Sequence, residues 1–180
     1  METFELSHHP AHPPLRVSAV AARIIGFDAN WLTIRWKIDG AAALVVPPFA
    51  GKARADGLWQ TTCFELFVQG ADAPAYAEFN FSPSERWAAY SFADIRAGMI
   101  ERAVAPQPTC TPRRGQDVLI FDAVLASSAL PPLPARYGLT AVIEEEGGHK
   151  SYWAMAHGRD RPDFHDPACF CGHLAAPQAA

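Results

Sequence analysis

Alternation of apolar and polar side chains at a period of two is the clearest pattern in the chain. Within residues 63–68, Phe64, Leu66 and Val68 alternate with Cys63 and Glu65. Successive side chains of a strand point to opposite faces. Residues 58–92 are therefore predicted to form three consecutive strands with one face in a core. The opposite face carries an indole, carboxylates, an amide and a hydroxyl, on Trp59, Glu65, Glu78, Asn80 and Ser82.

The same period recurs along the rest of the chain, between turns rich in proline and glycine. Strands are predicted at residues 17–27, 30–40, 41–46, 100–104, 117–125, 137–145, 150–157 and 168–174. The strand at 117–125 is expected to be buried on both faces. About ten short strands without alternating helices favour an all-β fold, an antiparallel β-sandwich of two packed sheets with little helix.

A hairpin is predicted around Gly147-Gly148, because a two-glycine turn between two strands is a strong hairpin signal. Pairing across that turn would set Glu144 opposite Ser151. It would also set Val142 opposite Trp153, so that these two side chains share one face.

Length and proline content predict the domain organisation. Residues 1–14 are rich in histidine and proline and are expected to form an extended N-terminal arm. Residues 15–175 are expected to form one domain, and residues 176–180 a tail. A domain of this size can bury a substantial core.

Composition narrows the classes of function. The net charge of −4 leaves no basic surplus to neutralise phosphates, so nucleic acid is not an expected partner. Apolar runs are far shorter than the roughly 20 residues that span a bilayer. The first residues lack the charged and apolar regions of a signal peptide. The chain is therefore expected to be cytoplasmic, without a membrane partner, and its four cysteines are expected to be thiols.

Four segments carry a resemblance to a known family: GLWQTTCFELFV, YAEFNFSPSERWAAYSF, GLTAVIEEEGGHKSYWAMAH and PDFHDPACF. Together they resemble the DOMON-like superfamily, most closely its bacterial branch akin to family 9 carbohydrate-binding modules. The likeness extends from about Val17 to Leu174. It implies a sandwich of two antiparallel sheets with a ligand site on one of them, and members of the superfamily bind sugars or haem.

The resemblance also implies roles for particular residues. Trp59 matches an aromatic that clamps a sugar ring, and Glu65 matches a carboxylate that binds its hydroxyls. Phe164 falls near the second clamp aromatic. Asn80 falls where the family has an arginine, and Val142 where it has an amide. The predicted site consists of Trp59, Glu65, Asn80, Ser82, Phe164 and Trp153, which would bind a small polar, carbohydrate-like ligand without catalysis and without a cofactor.

Several other functions stay open from the residues alone. His165, Cys169, Cys171 and His173 have ligand types that suit zinc, but lack the usual knuckle spacing. A haem module would need axial ligands from different strands, because Met155 and His157 share one face of one strand. A glycan-processing enzyme could use Glu65 as an acid or base, although no catalytic motif appears. A structural role is also open, since an edge strand could pair with a partner or form an oligomer.

Overall fold

The computed structural model describes residues 2–71 and 74–177, and this part of the chain is built from strands without an α-helix. The predicted all-β class is confirmed. The thirteen strands are β1 (Phe4–His8), β2 (Ala19–Phe27), β3 (Trp31–Asp39), β4 (Ala53–Arg54), β5 (Cys63–Gly70), β6 (Tyr76–Phe81), β7 (Arg86–Phe92), β8 (Ile100–Glu101), β9 (Thr109–Arg114), β10 (Val118–Ala126), β11 (Ala135–Glu145), β12 (His149–Ala154) and β13 (Gly172–Leu174).

The strands form one curled sheet whose two halves pack face to face. The first layer has the order β1-β2-β3-β10-β9, and the second has the order β4-β7-β6-β5-β11-β12-β1. Strand β1 pairs with both β2 and β12 and so joins the layers. The short β13 and β8 pair with β11 and β7. Single 3₁₀ turns lie at Ala41–Ala43, Leu58–Gln60, Ser127–Ala129 and Pro167–Cys169.

Alternation places the core between the layers. Phe64 of β5 and Phe121 of β10 are both fully buried, and their rings stack across the layers with centroids 4.4 Å apart. Trp36 of β3 packs beside them, 5.4 Å from Phe64. Offset ring pairs of this kind add to the stability that burial alone provides.

Strand β10 is buried on one face only, contrary to the expectation of two buried faces. Its inward side chains are fully buried, whereas Asp122 faces outward. There Asp122 accepts hydrogen bonds from Arg35 and Arg113, at 2.7 Å and 2.6 Å. The outer face of β10 therefore carries an ion-paired aspartate, and the run of apolar residues led to the wrong prediction.

The N-terminal segment is part of the sheet and not only an extended arm. Residues 4–8 form β1, and the chain that follows is tied to the end of β11 by Glu145. This buried carboxylate accepts hydrogen bonds from the backbone N–H groups of Leu15, Arg16 and Val17, at 2.8, 2.6 and 3.1 Å.

The hairpin of β11 and β12 exists, but the predicted register is wrong by one residue. Glu145 pairs with His149 and Val142 pairs with Tyr152, so the loop has three residues, 146–148, instead of two. Both glycines adopt positive φ angles, 90° and 80°. A shift of one residue exchanges the faces of a strand. Trp153 consequently lies in the core, while Val142 and Tyr152 share the outer face.

The C-terminal strand is shorter than predicted. Residues 167–169 form a 3₁₀ turn, and only Gly172–Leu174 are extended. Of the predicted tail, residues 178–180 lie outside the described part of the chain. No helix in the described residues is long and apolar enough to cross a bilayer.

Candidate functional site

A cavity of about 1170 Å³ lies on the outer face of the second layer. Its floor consists of side chains from five neighbouring strands, β5, β6, β7, β11 and β12. The residues that line the floor are Glu65, Phe67, Glu78, Tyr90, Phe92, Val142 and Tyr152. Each of them lies on the face opposite the core, as the alternation of side chains requires.

Loops build the walls of this cavity. The turn before β5 contributes Asp56, Trp59 and Gln60, and the loop after β7 contributes Arg96 and Met99. The loop between β12 and β13 supplies Arg161, Pro162, Phe164 and His165, and His12 closes the side nearest to β1. The floor residues thus lie on strands, while the side chains around the opening lie on the loops between strands.

Trp59 lies on the wall and is 54% exposed. The sequence suggested that it shares a strand with Glu65, but residues 58–60 form a 3₁₀ turn. Gly57 starts this turn with a φ of 72°, a conformation that glycine adopts without strain. Trp59 is therefore not part of strand β5, yet Trp59 and Glu65 line the same cavity.

Glu65 is buried at the floor and only 3% exposed. Its Oε2 accepts a hydrogen bond of 3.0 Å from the Thr140 hydroxyl of β11. Removal from water, together with the neighbouring Glu78, raises the pKa of Glu65 to about 8. Near neutral pH this carboxyl is therefore mostly protonated and can both donate and accept a hydrogen bond.

Glu78 is the second carboxyl of the floor. Its Oε1 accepts a hydrogen bond of 2.8 Å from the Asn80 amide. Burial raises the pKa of Glu78, while the hydrogen bond from Asn80 and the charge of Arg96 oppose that rise. The strand register sets Glu65 opposite Asn80 and Phe67 opposite Glu78, so the two carboxyls are diagonal neighbours on one sheet face.

His165 stands beside Glu78 in neutral form. Its Nδ1 lies 2.7 Å from the Tyr76 hydroxyl, which accepts a hydrogen bond from the backbone N–H of Arg96. The other ring nitrogen, Nε2, lies 3.7 Å from Glu78 Oε2. Burial and the charge of Arg96 lower the pKa of His165 to about 4, against a smaller opposing effect of Asp163.

The other predicted site residues occupy different places. Asn80 is 1% exposed, and its only link to the cavity among the described residues is the hydrogen bond that its amide donates to Glu78. Ser82 is buried in the turn after β6, where its hydroxyl bonds that of Ser84 at 2.8 Å. Phe164 lines the cavity and is buried against other apolar residues of the second layer's outer face. Trp153 is in the core, and its indole N–H donates to the Ser151 hydroxyl at 2.9 Å.

The four candidate zinc ligands do not form a common site. His165 faces the cavity, Cys169 is buried, and Cys171 and His173 are exposed. The Cys169 and Cys171 thiols donate to the backbone carbonyls of Asp163 and Ala168. Among residues 2–71 and 74–177, no three His, Cys, Asp or Glu side chains are placed to hold a metal ion.

Sequence reasoning left several cavity residues out of the predicted site. Glu78 lies on the face that alternation predicts, and the same alternation is a sufficient signal for Tyr90. Tyr152 was missed because the hairpin register was wrong. Arg96 comes from a loop of no regular period, and no pattern in the sequence could have found it.

Comparison with solved structures shows what this fold is similar to. A proposed carbohydrate-binding protein from Bacteroides uniformis superimposes with a TM-score of 0.71 at 19% identity, covering 97% of this chain and 86% of that one. A family 9 carbohydrate-binding module from Caldicellulosiruptor kristjanssonii in complex with glucose gives a TM-score of 0.56 at 11% identity, covering 98% and 86% of the chains.

A Caldicellulosiruptor kristjanssonii family 9 module in complex with cellotriose gives a TM-score of 0.55 at 11% identity, with 98% of this chain and 84% of that one covered. No protein-family model matches the sequence, and neither does any curated protein. At these identities the likeness establishes the fold alone. The chain therefore has a fold like that of family 9 carbohydrate-binding modules.

Proposed function

We propose that the chain binds a carbohydrate in the cavity on the second layer, as a DOMON-like relative of the family 9 modules. The observation that carries the proposal is an exposed Trp59 on the wall of a cavity whose floor has two buried carboxyls. A sugar offers an apolar C–H face and a rim of hydroxyls. An aromatic wall and a few placed polar groups are what such a ligand requires.

In this proposal each group has one task. Trp59 stacks against a sugar ring, and Phe164 packs on the other side of the ligand. Glu65 and Glu78 bond the hydroxyls, with Asn80 holding Glu78 in place. Ser82 has no direct part, because it is bonded within its own turn.

The fold likeness supports the same proposal. Two of the similar structures hold glucose and cellotriose, and the cavity volume of about 1170 Å³ leaves room for more than one sugar unit. One stacked ring and a few hydrogen bonds of about 1 kcal/mol each predict a Kd in roughly the micromolar to millimolar range.

Calorimetric titration with glucose and cellotriose tests the proposal. Wild type should bind cellotriose, Trp59→Ala should lose measurable binding, and Trp31→Ala should bind as wild type does. Trp31 is the matched control because it is 42% exposed but lies on β3 of the first layer.

Stability measurements separate a binding role of Trp59 from a structural one. An exposed side chain should change the free energy of unfolding by no more than about 0.5 kcal/mol when it is truncated. Equal cellotriose affinity in Trp59→Ala and wild type, or unfolding of the variant, would contradict the proposed site.

A further inference from the structure

The floor of the cavity offers hydrogen-bond acceptors without a matching cation. Glu65 and Glu78 face the same space, and Asn80 lies between them on the same sheet face. The Asn80 amide N–H₂ is used by Glu78, whereas its carbonyl oxygen is buried without a hydrogen-bond partner among the described residues. This oxygen is buried beneath the floor, so it adds a negative dipole beside the two carboxyls, and the arrangement favours a ligand that brings positive charge.

The nearby basic side chains do not supply that charge. The guanidinium of Arg96 is bound to Asp163, with Nε and Nη2 at 3.2 Å and 2.9 Å from Oδ1. His165 is neutral, as argued above, and its Nε2 is 3.7 Å from Glu78. His12 and Arg161 lie on the walls, and neither is hydrogen-bonded to Glu65 or Glu78 in the described part of the chain. Two neighbouring buried carboxyls that lack a direct ion pair with a basic side chain cannot both ionise at low cost.

Aromatic side chains surround this floor. Phe67 lies opposite Glu78 in the strand pairing, and Tyr90 and Tyr152 stand on the strands at either side. Trp59 lines the same cavity. Aromatic faces attract cations, and more strongly where water is excluded. The two carboxyls and the aromatic rings around them would therefore bind an ammonium group more tightly than a hydroxyl.

We propose that the preferred ligand is an amino sugar, with its ammonium group held by Glu65 and Glu78 and its ring stacked on Trp59. This inference rests on the proposed carbohydrate binding. An ammonium group brings three N–H donors and a full charge, so it satisfies both carboxyls and adds a favourable interaction with the dipole of the Asn80 carbonyl. The hydroxyls of a neutral sugar can also donate to these oxygens, but they bring no charge that would offset the ionisation of the two carboxyls.

Two trisaccharides of equal length and linkage test the inference: cellotriose and the β-1,4-linked trimer of glucosamine. Both are titrated calorimetrically at about pH 6, where the amines are charged, and the glucosamine trimer should bind about tenfold tighter or better. The N-acetylated trimer, whose nitrogens carry no charge, should show none of this gain.

Matched variants locate the effect. Glu78→Gln keeps the size of the side chain and should bring the two trisaccharides to within about threefold of each other. Glu146→Gln makes the same change in net charge at the exposed hairpin tip and should keep the full preference. Glu65→Gln provides a second variant of the floor if Glu78→Gln does not fold.

The results distinguish a failure of the amino-sugar preference from a failure of carbohydrate binding itself. Binding of cellotriose as tight as that of the glucosamine trimer would overturn the inference and leave carbohydrate binding intact. A preference for the glucosamine trimer that survives in both floor variants would also overturn it. Failure of wild type to bind either trisaccharide would overturn the proposed function as well.

Discussion

Glu65→Gln should make the protein more stable at pH 8 than wild type and should lose most of that advantage at acidic pH. In wild type, burial and Glu78 raise the pKa of Glu65 from its ordinary 4.5 to about 8. The unfolded chain releases this proton above pH 4.5, whereas the folded chain keeps it until about pH 8. Because the unfolded state binds fewer protons across this window, the stability of the folded state falls as the pH rises.

The expected magnitude follows from the size of the pKa change. A pKa difference of one corresponds to about 1.4 kcal/mol, so a rise from 4.5 to about 8 amounts to roughly 5 kcal/mol in total. Glutamine has nearly the same shape and no proton to lose. Its carbonyl oxygen can still accept the hydrogen bond that Thr140 gives to Glu65.

Urea denaturation at about pH 4.5 and about pH 8, followed by tryptophan fluorescence, measures this effect. The difference in unfolding free energy between Glu65→Gln and wild type should grow by several kcal/mol from the lower to the higher pH. Glu146→Gln serves as the control and should track wild type at both values. A difference that stays constant with pH would refute the claim that Glu65 is held protonated at the cavity floor.

Two further changes test how the scaffold is held together. Glu145→Ala removes the acceptor of three backbone hydrogen bonds, to Leu15, Arg16 and Val17, and should lower the free energy of unfolding by about 3 kcal/mol or more in a urea titration; a loss below about 1 kcal/mol would contradict the role given to this carboxylate. Phe121→Ala removes a fully buried ring from the interlayer stack and should cost about 3–5 kcal/mol in the same assay; an unchanged midpoint would contradict the description of the core.

Much of the scaffold could be predicted from the sequence because alternation is a local signal. The strands β3, β5 and β6 are covered by predicted segments, and the alternating apolar residues Phe64, Leu66 and Val68 of β5 face the core as expected. Alternation also put Glu65 and Asn80 on one face, and the structure pairs them directly across two strands. A local period suffices here because each strand packs one face against the core.

Predictions that depend on the loops were less accurate. Two residues or three in the turn at Gly147-Gly148 decide whether Trp153 or Tyr152 faces the cavity, and either loop is compatible with the two glycines. The 3₁₀ turn that contains Trp59 depends on the φ angle of Gly57. Strand β1 joins the two layers by pairing with β2 and with β12. The pairing with β12 connects residues far apart in the sequence, and no local pattern reveals it.

The most direct measurement of the central claim is an NMR titration of the tryptophan indole N–H signals with cellotriose. The chain has five tryptophans, and Trp59→Phe and Trp31→Phe assign the two exposed ones. Carbohydrate binding in the cavity predicts a saturable shift of the Trp59 signal, while the signal of Trp31 on the first layer stays in place. A Trp59 signal that does not move at millimolar cellotriose, or a shift confined to Trp31, would contradict the account.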